Sequence, residues 1–296
     1  ERRAMLHLHE NLKTTTTPLR YDGHTSVFLP AVATIEDVKT ETALEKIYTV
    51  RLPGGQNLGH VPGQFVMVSV PGVGEAPISV MSSPSRTGET FKLCIRKAGD
   101  LTGVIHQLQP GDQIGIRGPF GRGFPVDTFR GKDILIAAGV LGLAPARSLI
   151  DEILDHRSQF GRLIILYGAK APAEILFRDA IAEWEERDDV EFLMTVDRPD
   201  PTWFGHVGVI TTLFPHVEVN PYKTIAVTVG PPVMYRFVTM ELLGKGLTPE
   251  QIWLSFERRM KCGIGKCGHC QVNHRYSCQE GPSWTYAEAL AFEEAL

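Results

Sequence analysis

Two hydrophobic periods divide the chain. From residue 31 to about residue 129, short runs alternate apolar and polar positions or are rich in β-branched residues: 31–39 (AVATIEDVK), 45–52 (EKIYTVRL), 63–70 (GQFVMVSV), 91–99 (FKLCIRKAG) and 112–118 (DQIGIRG). Gly54-Gly55, Pro62-Gly63 and Pro110-Gly111 punctuate them. Short strands at this spacing predict a small antiparallel β-barrel. One helix is expected among them, over 102–109.

From about residue 130 the period lengthens. Near-continuous apolar runs at 132–139, 162–169, 190–196, 223–230 and 251–257 alternate with helical patterns at 144–156, 173–187, 209–214 and 232–243. In 144–156, Leu149, Ile150, Ile153 and Leu154 share one face. Strands alternating with helices predict an α/β domain on a parallel sheet, and strands apolar on both sides fit burial on both faces. The expected division is an extension (1–30), a barrel (31–129), an α/β domain (130–257) and a small C-terminal loop domain (258–296). Met5, Leu6, Leu8 and Leu12 outline an amphipathic helix in the extension, either a plain tail or a docking arm for a partner.

Composition narrows the classes. A net charge of −4 over 296 residues gives no basic footprint for nucleic acid. The apolar stretch 134–145 (ILIAAGVLGLAP) is too short and too rich in Gly and Pro to span a membrane. The N-terminal residues hold no long apolar core, which argues against a secretory signal and for a cytoplasmic protein.

Four of the five cysteines crowd into 262–278 as C-x4-C-x2-C-x7-C: Cys262, Cys267, Cys270 and Cys278. Without secretory features, such clustering points to a metal or iron–sulfur site rather than to disulfides. The first three follow the plant-type spacing for a 2Fe–2S cluster, with the fourth closing from farther along. Gly263, Gly265 and Gly268 fall between the ligands, where a tight wrap needs them. A structural zinc site using His269 or His274 is the alternative, although zinc sites usually pair their cysteines as two short hooks. Cys94, alone on a strand, reads as a packed side chain without a role.

Nucleotide chemistry enters through strand ends. In AAGVLGLAPARSLI, Gly139 and Gly142 would let backbone amides approach a pyrophosphate at a strand-to-helix turn, although glycine at such a turn is often purely structural. Gly230, Pro231 and Pro232 end a second strand, Gly168 and Lys170 a third, Asp197 and Arg198 a fourth. Ligands of open parallel sheets bind at such ends. Lys170, Arg178 and Arg198 would meet ribose or phosphate, or are solvated surface charge. In the barrel, Pro77 of GEAPISVMSSP is expected to end regular pairing and Ser79 to present its hydroxyl to a bound ring. Arg96 on a strand and Thr102-Gly103 at a helix start form an anion site. GIRGPFGRGFP links the two domains.

A barrel with APIS and IRKAG…TG, then RGPFG, a turn ending GLAP, and VGPPVM resembles the ferredoxin–NADP reductase superfamily. With the cysteine loop it resembles the iron–sulfur flavoprotein subgroup. That subgroup serves dihydroorotate dehydrogenase, anaerobic sulfite reductase and cytoplasmic nickel–iron hydrogenase. PGQFVMVSVPGVGEAPISV, DRPDPTWFGHVGVITTLF and LSFERRMKCGIGKCGHCQV are most similar to the hydrogenase gamma (diaphorase) subunits, and the resemblance covers 30 to about 286. It implies FAD in the barrel, NAD(P) on the sheet and a 2Fe–2S cluster at the C-terminus. By position, Pro77, Ile78 and Ser79 would line the flavin ring, with Ser79 near the nitrogen that exchanges hydride. Arg96, Thr102 and Gly103 would hold the flavin phosphates. Gly139, Gly142 and Ala144 would approach the NAD(P) pyrophosphate, and Gly230 and Pro231 would flank the nicotinamide. No protein acid or base is implied in the hydride step.

The implied function is electron transfer between NAD(P)H and the small, large and other iron–sulfur subunits of a hydrogenase. The same module serving dihydroorotate dehydrogenase or sulfite reductase is the alternative. A reductase acting on a small diffusible acceptor is another, and a zinc-bearing, non-enzymatic interaction protein is an alternative of a different class. Two positions depart from the superfamily pattern. Ala76 and Ile78 stand where Arg and Tyr are usual, and Val140 stands where a second glycine is usual. Phe120, Phe124 and Trp284 are candidates to stack on flavin, or core residues.

Overall fold

A computed structural model of the chain describes residues 26–256 and 258–292. The amphipathic pattern at Met5–Leu12 lies outside the described residues.

Six strands form the first sheet: β1 (Ala31–Thr40), β2 (Glu45–Arg51), β3 (Phe65–Val70), β4 (Gly74–Ser79), β5 (Thr90–Arg96) and β6 (Gln113–Phe120). Their order is β4-β3-β6-β1-β2-β5, all antiparallel, and a bridge from Val80 to Leu93 joins the two ends into a barrel. Ala33, Ile35, Tyr48, Val50, Val66, Val68, Phe91 and Ile116 fill it. Alternation along β1 and β2 sends these side chains inward. Helix α1 (Asp100–Ile105) caps one end, and the Tyr48 hydroxyl donates to its Ile105 carbonyl at 3.0 Å. The helix is shorter than 102–109 because the chain turns after His106, whose ring bonds the Ile95 carbonyl.

Pro77 does not end pairing, contrary to the sequence expectation. Strand β4 runs through it, with Met67 opposite Pro77 and Phe65 opposite Ser79. A proline fits here because β4 terminates the ladder, so the missing N–H breaks no interior bond.

A short helix α2 (Val126–Phe129) leads into the second unit. There β7 (Asp133–Gly139), α3 (Leu143–Asp155), β8 (Leu163–Ala169), α4 (Arg178–Glu185), β9 (Val190–Val196), β10 (His206–Val207), β11 (Thr224–Val229), α5 (Pro232–Gly244) and β12 (Ile252–Ser255) follow in turn. The sheet order is β10-β9-β8-β7-β11-β12, parallel throughout. Every residue of β7 and β8 is buried, as continuous apolar runs require. Strand order reverses between β7 and β11, which opens a crevice at their carboxyl ends.

Two helical expectations changed. Over 173–187 the chain makes a 3-10 turn, Pro172–Glu174, and then takes a left-handed φ of 53° at Phe177 before α4 begins. A tertiary contact overrides helix propensity there. The Phe177 amide donates to the Glu41 carboxylate of the barrel, and the Arg147 guanidinium lies 4.9 Å from the Phe177 ring centre. Over 210–216 the element is a 3-10 turn containing Pro215.

The last segment carries β13 (Gln271–Val272), β14 (Arg275–Tyr276), α6 (Ser277–Glu280), β15 (Ser283–Thr285) and α7 (Tyr286–Leu290). Strand β15 pairs antiparallel with β12, so this segment adds an edge strand to the parallel sheet as well as forming the cysteine loop. Trp284 is fully buried in the core beneath that edge, with Phe256 and Phe292 against it.

Ion pairs and hydrogen bonds hold the barrel against the second unit, among them Lys39 on Asp179 and Arg96 on Glu174. Arg86 reaches Asp151 at 3.0 Å and Asp155 at 2.7 Å, and Ser83 donates to Glu152 at 2.6 Å. Arg122 forks onto Glu288 at 2.9 and 2.7 Å and lies over the rings of Trp253 and Trp284. Among the described residues no helix is long and apolar enough to cross a membrane.

Candidate functional site

The cysteine loop wraps inward on its own backbone. Gly263, Gly265 and Gly268 have φ of 75°, 68° and 78°. With the chain so coiled, the Gly265 amide donates to Cys278 Sγ at 3.0 Å, and the Lys266 and Cys267 amides donate to Cys262 Sγ at 3.3 and 3.4 Å. All four thiols are free, with Cys262 neighbouring Cys267 and Cys270 neighbouring Cys278. Among the described residues no three Cys, His, Asp or Glu side chains gather into a single-ion site. Two pairs of thiolates suit a two-iron centre, in which each iron takes two protein ligands. A lone zinc ion needs four ligands around one point. Four thiols on a glycine-rich loop whose amides point at sulfur fit a 2Fe–2S cluster.

The pairs differ in surroundings. Cys270 and Cys278 are buried and Cys267 is exposed. The His269 amide holds the Cys267 thiol below the usual range, which favours thiolate. Burial pushes the Cys278 thiol up to about 12, and a bound metal would favour its thiolate.

The loop is seated on the barrel. A Cβ on Gly263 would lie 2.9 Å from the Phe120 ring and 3.1 Å from Met67. Phe65, Met67, Phe120, Met260, Cys270 and Cys278 form one apolar cluster. Arg117 of β6 donates to the Cys262 carbonyl at 3.0 Å and forks onto Glu75 of β4 at 2.7 and 2.6 Å. Strand β4 also carries Pro77, Ile78 and Ser79. The cluster loop and the expected flavin strip are thus joined through one guanidinium.

Residues Glu75–Ser79 are all half-buried. The Thr102 hydroxyl accepts from the Ala98 and Gly99 amides at 2.9 and 3.0 Å and closes the turn into α1. A Cβ on Gly99 or Gly103 would meet nothing within 4 Å, which leaves open space at the expected phosphate position. Arg96 is paired with Glu45 at 3.3 Å and Glu174 at 3.8 Å, and would have to share its charge with a phosphate.

In the crevice between β7 and β11, Gly139 and Gly142 lie beside Gly230. Their role in the fold is close packing. A Cβ on Gly142 would lie 2.2 Å from the Val229 carbonyl oxygen, and one on Gly139 would lie 2.5 Å from Met234 Sδ. The left-handed position of this turn is Val140, at φ 52°. A β-branched residue there is a genuine outlier. Ala144 is buried at the start of α3 and Pro231 precedes α5. Lys170, Asp197 and Arg198 end exposed at this edge, Arg198 within 3.6 Å of Glu174, whereas Arg178 turns back to the Pro172 carbonyl.

Three family models cover most of the chain: an oxidoreductase FAD-binding domain over 32–124, an oxidoreductase NAD-binding domain over 135–240, and the iron–sulfur cluster binding domain of dihydroorotate dehydrogenase B over 257–289. The gamma subunit of sulfhydrogenase 1 of Pyrococcus furiosus is 44% identical over 237 residues, 78% of this chain and 80% of that protein. The chain belongs to the iron–sulfur flavoproteins of the ferredoxin–NADP reductase superfamily. The gamma subunit of sulfhydrogenase 2 from the same organism is 39% identical over 88% of this chain and 96% of its own length. A probable dihydroorotate dehydrogenase B electron transfer subunit of Methanocaldococcus jannaschii is 30% identical over 86% and 88%. Among solved structures, an NADH-dependent reduced ferredoxin–NADP oxidoreductase aligns with a TM-score of 0.69 over 90% of each chain, at 22% identity. A ferredoxin–NADP reductase of Neisseria gonorrhoeae, holding FAD and NADP, aligns with a TM-score of 0.64 over 75% of this chain and 96% of its own.

This iron–sulfur flavoprotein is therefore an oxidoreductase with sites for FAD, NAD(P) and an iron–sulfur cluster. Cys94 is buried at the barrel's contact with the second unit, as a packed residue should be. Sequence reasoning placed Arg117 in a strand run and in a glycine-rich link but missed its contacts, and missed the Arg122–Glu288 clasp. Alternation along 113–120 places Arg117 in a strand but cannot say what it meets. A cavity of about 310 Å³ lies between the barrel wall and helices α3 and α4, lined by Lys39, Glu41, Lys92, Arg147, Asp151 and Phe177 among others, away from every cofactor residue named above.

Proposed function

We propose that this chain is the diaphorase subunit of a cytoplasmic nickel–iron hydrogenase, exchanging electrons between NAD(P)H and its partner subunits. The seating of the cysteine loop on the barrel carries this reading. The loop touches Met67 and Phe120 on one side and exposes Cys267 on the other. An electron centre so placed has a flavin strand behind it and a free face in front. The two sulfhydrogenase gamma subunits, at 44% and 39% identity, support the choice of partner.

Nicotinamides exchange hydride, iron–sulfur clusters exchange single electrons, and a flavin between them does both. The protein's part is to bind, orient and exclude water. Pro77, Ile78 and Ser79 would line the flavin ring, with Arg96, Thr102 and Gly103 at its phosphates. Gly139, Gly142 and Ala144 would approach the nucleotide pyrophosphate, and Gly230 and Pro231 would keep the nicotinamide against the flavin. Cys262, Cys267, Cys270 and Cys278 would hold the 2Fe–2S cluster.

Around Cys267 the surface suits a protein partner. Lys261, Lys266 and His269 are exposed, and so are Phe28 and Leu29. Residues 258–279 carry five Lys and Arg and no Asp or Glu, in a chain of net charge −4. An apolar and cationic rim around an exposed electron centre favours an acidic docking face.

The match of 257–289 to the cluster domain of dihydroorotate dehydrogenase B favours a second reading, the same module serving that enzyme. The test is hydrogen-dependent reduction of NAD⁺ and NADP⁺ by the complex purified without oxygen, with the visible spectrum followed. Reduction by hydrogen is expected. Bleaching by NAD(P)H with no response to hydrogen would move the partner to dihydroorotate or sulfite chemistry.

A further inference from the structure

Arg117 is a buried cation with every bond directed. Its side chain is 7% exposed. Nε and Nη2 fork onto Glu75 at 2.7 and 2.6 Å, Nη1 donates to the Val27 carbonyl at 2.7 Å, and Nη2 also donates to the Cys262 carbonyl at 3.0 Å. Its guanidinium carbon lies 5.6 Å from the centre of the Phe120 ring, the ring that Gly263 packs against. One guanidinium therefore fixes the first ligand residue of the cluster loop, the strand of the flavin strip and the entry into β1.

We propose that Arg117, with Glu75 as its counter-charge, is a positioning residue that seats the cluster loop and sets how readily the cluster accepts an electron. This rests on the four thiols holding a 2Fe–2S cluster. The physical argument has two parts. Reduction adds negative charge, and a fixed cation at a ligand residue favours it. Arg117 itself is buried, so on its side of the loop that field is weakly screened by solvent. Glu75, bonded to the same Nη2 that reaches the Cys262 carbonyl, opposes it. The pair together is near neutral, so each half acts with opposite sign on the cluster. An Arg that served only to hold the loop would show no such sign. Lysine could not reproduce the arrangement, because a point charge cannot fork onto a carboxylate and reach two carbonyls as well.

The test is an electron paramagnetic resonance redox titration of the full chain with its cofactors, in the parent, Arg117→Gln and Glu75→Gln forms. Arg117→Gln is expected to disfavour the reduced cluster by a factor of about ten, which for a one-electron couple is about 59 mV towards more negative potential. Glu75→Gln is expected to move the midpoint the other way, because it leaves the cation uncompensated. Arg117→Lys should recover part of the shift while keeping an altered signal shape, since the charge returns without the fork.

Shifts in the same direction for Arg117→Gln and Glu75→Gln, or no shift in either, would overturn the proposal. If Arg117→Gln fails to assemble a cluster, Glu75→Gln decides alone: a midpoint that stays in place or falls overturns it. A parent protein with flavin but no cluster signal and no iron would sink the cluster reading, and this inference with it.

Discussion

The cluster loop and the nucleotide turn are both written in glycine, and the glycines do different work. In the cluster loop the first requirement is conformational, and the side chains a Cβ would crowd there, Phe120 at Gly263 and Gln279 at Gly265, are not backbone. Gly265 sits at φ 68°, a region that side chains avoid, and that backbone turns its amide onto Cys278. In the nucleotide turn the requirement is space. Gly142 has an ordinary helical φ of −59°, but a Cβ there would meet the Val229 carbonyl oxygen at 2.2 Å. The left-handed position of that turn is given to Val140 instead. One loop uses glycine to aim amides, the other to bring two strand ends together. The first therefore tolerates a methyl group badly for the cluster, and the second badly for the fold.

Substitutions should separate these roles. The largest effect is expected from Cys270→Ser, at a buried cysteine proposed as a ligand: loss of the cluster's visible absorbance and of electron delivery to the partner, with flavin reduction by NAD(P)H retained. Gly142→Ala should come next, lowering stability by about 3 kcal/mol, because the clash is with backbone that cannot swing aside. Thermal unfolding would measure it, and an unchanged midpoint would refute the packing role. Gly265→Ala should cost about 1–2 kcal/mol for a left-handed alanine. Iron content should fall more than thermal stability does, and the reverse order would erase the contrast between the loops.

Val140→Gly should have a smaller effect of opposite sign. Left-handed strain of about 1–3 kcal/mol is relieved, and glycine's added unfolded-state entropy of about 1 kcal/mol offsets part of it. A net gain of about 1 kcal/mol is expected in denaturant titration, with tighter NAD(P)H binding by direct titration if the side chain crowds the pyrophosphate.

The smallest effect concerns acid. The Arg86 hydrogen bond holds the Asp155 carboxyl below the usual range. Burial works against ionised Glu288, but the bonds from Arg122 and Thr285 outweigh it and leave that carboxyl lowered too. Both contacts join the barrel to the second unit. Groups with depressed folded values contribute stability above their unfolded values, about pH 4, and lose it as pH falls through the folded ones. Stability should therefore decline below about pH 4, and Glu288→Gln should flatten that decline.

Much of this was legible in the sequence, and the reasons differ by region. The barrel and parallel-sheet strands were readable because burial on one face or on both leaves a period. The iron–sulfur domain over 257–289 was readable because clusters of this kind constrain the spacing of cysteines. Strand β4 was misread at Pro77 because whether a proline breaks a ladder depends on which side of the strand is paired, a tertiary fact. The helix over 173–187 was overdrawn because Glu41, far away in sequence, captures the Phe177 amide. The contacts of Arg117 and Arg122 were missed for the same reason, since their partners lie on other strands and on the C-terminal segment.

The account's central claim is that electrons pass from NAD(P)H through a flavin to a 2Fe–2S cluster within this one chain. Its most direct test is an anaerobic titration of the purified holoprotein with NADH and NADPH, following visible and electron paramagnetic resonance spectra together. The account expects flavin bleaching with the appearance of a reduced 2Fe–2S signal that Cys270→Ser abolishes. A colourless protein that contains zinc and no iron or flavin would contradict it.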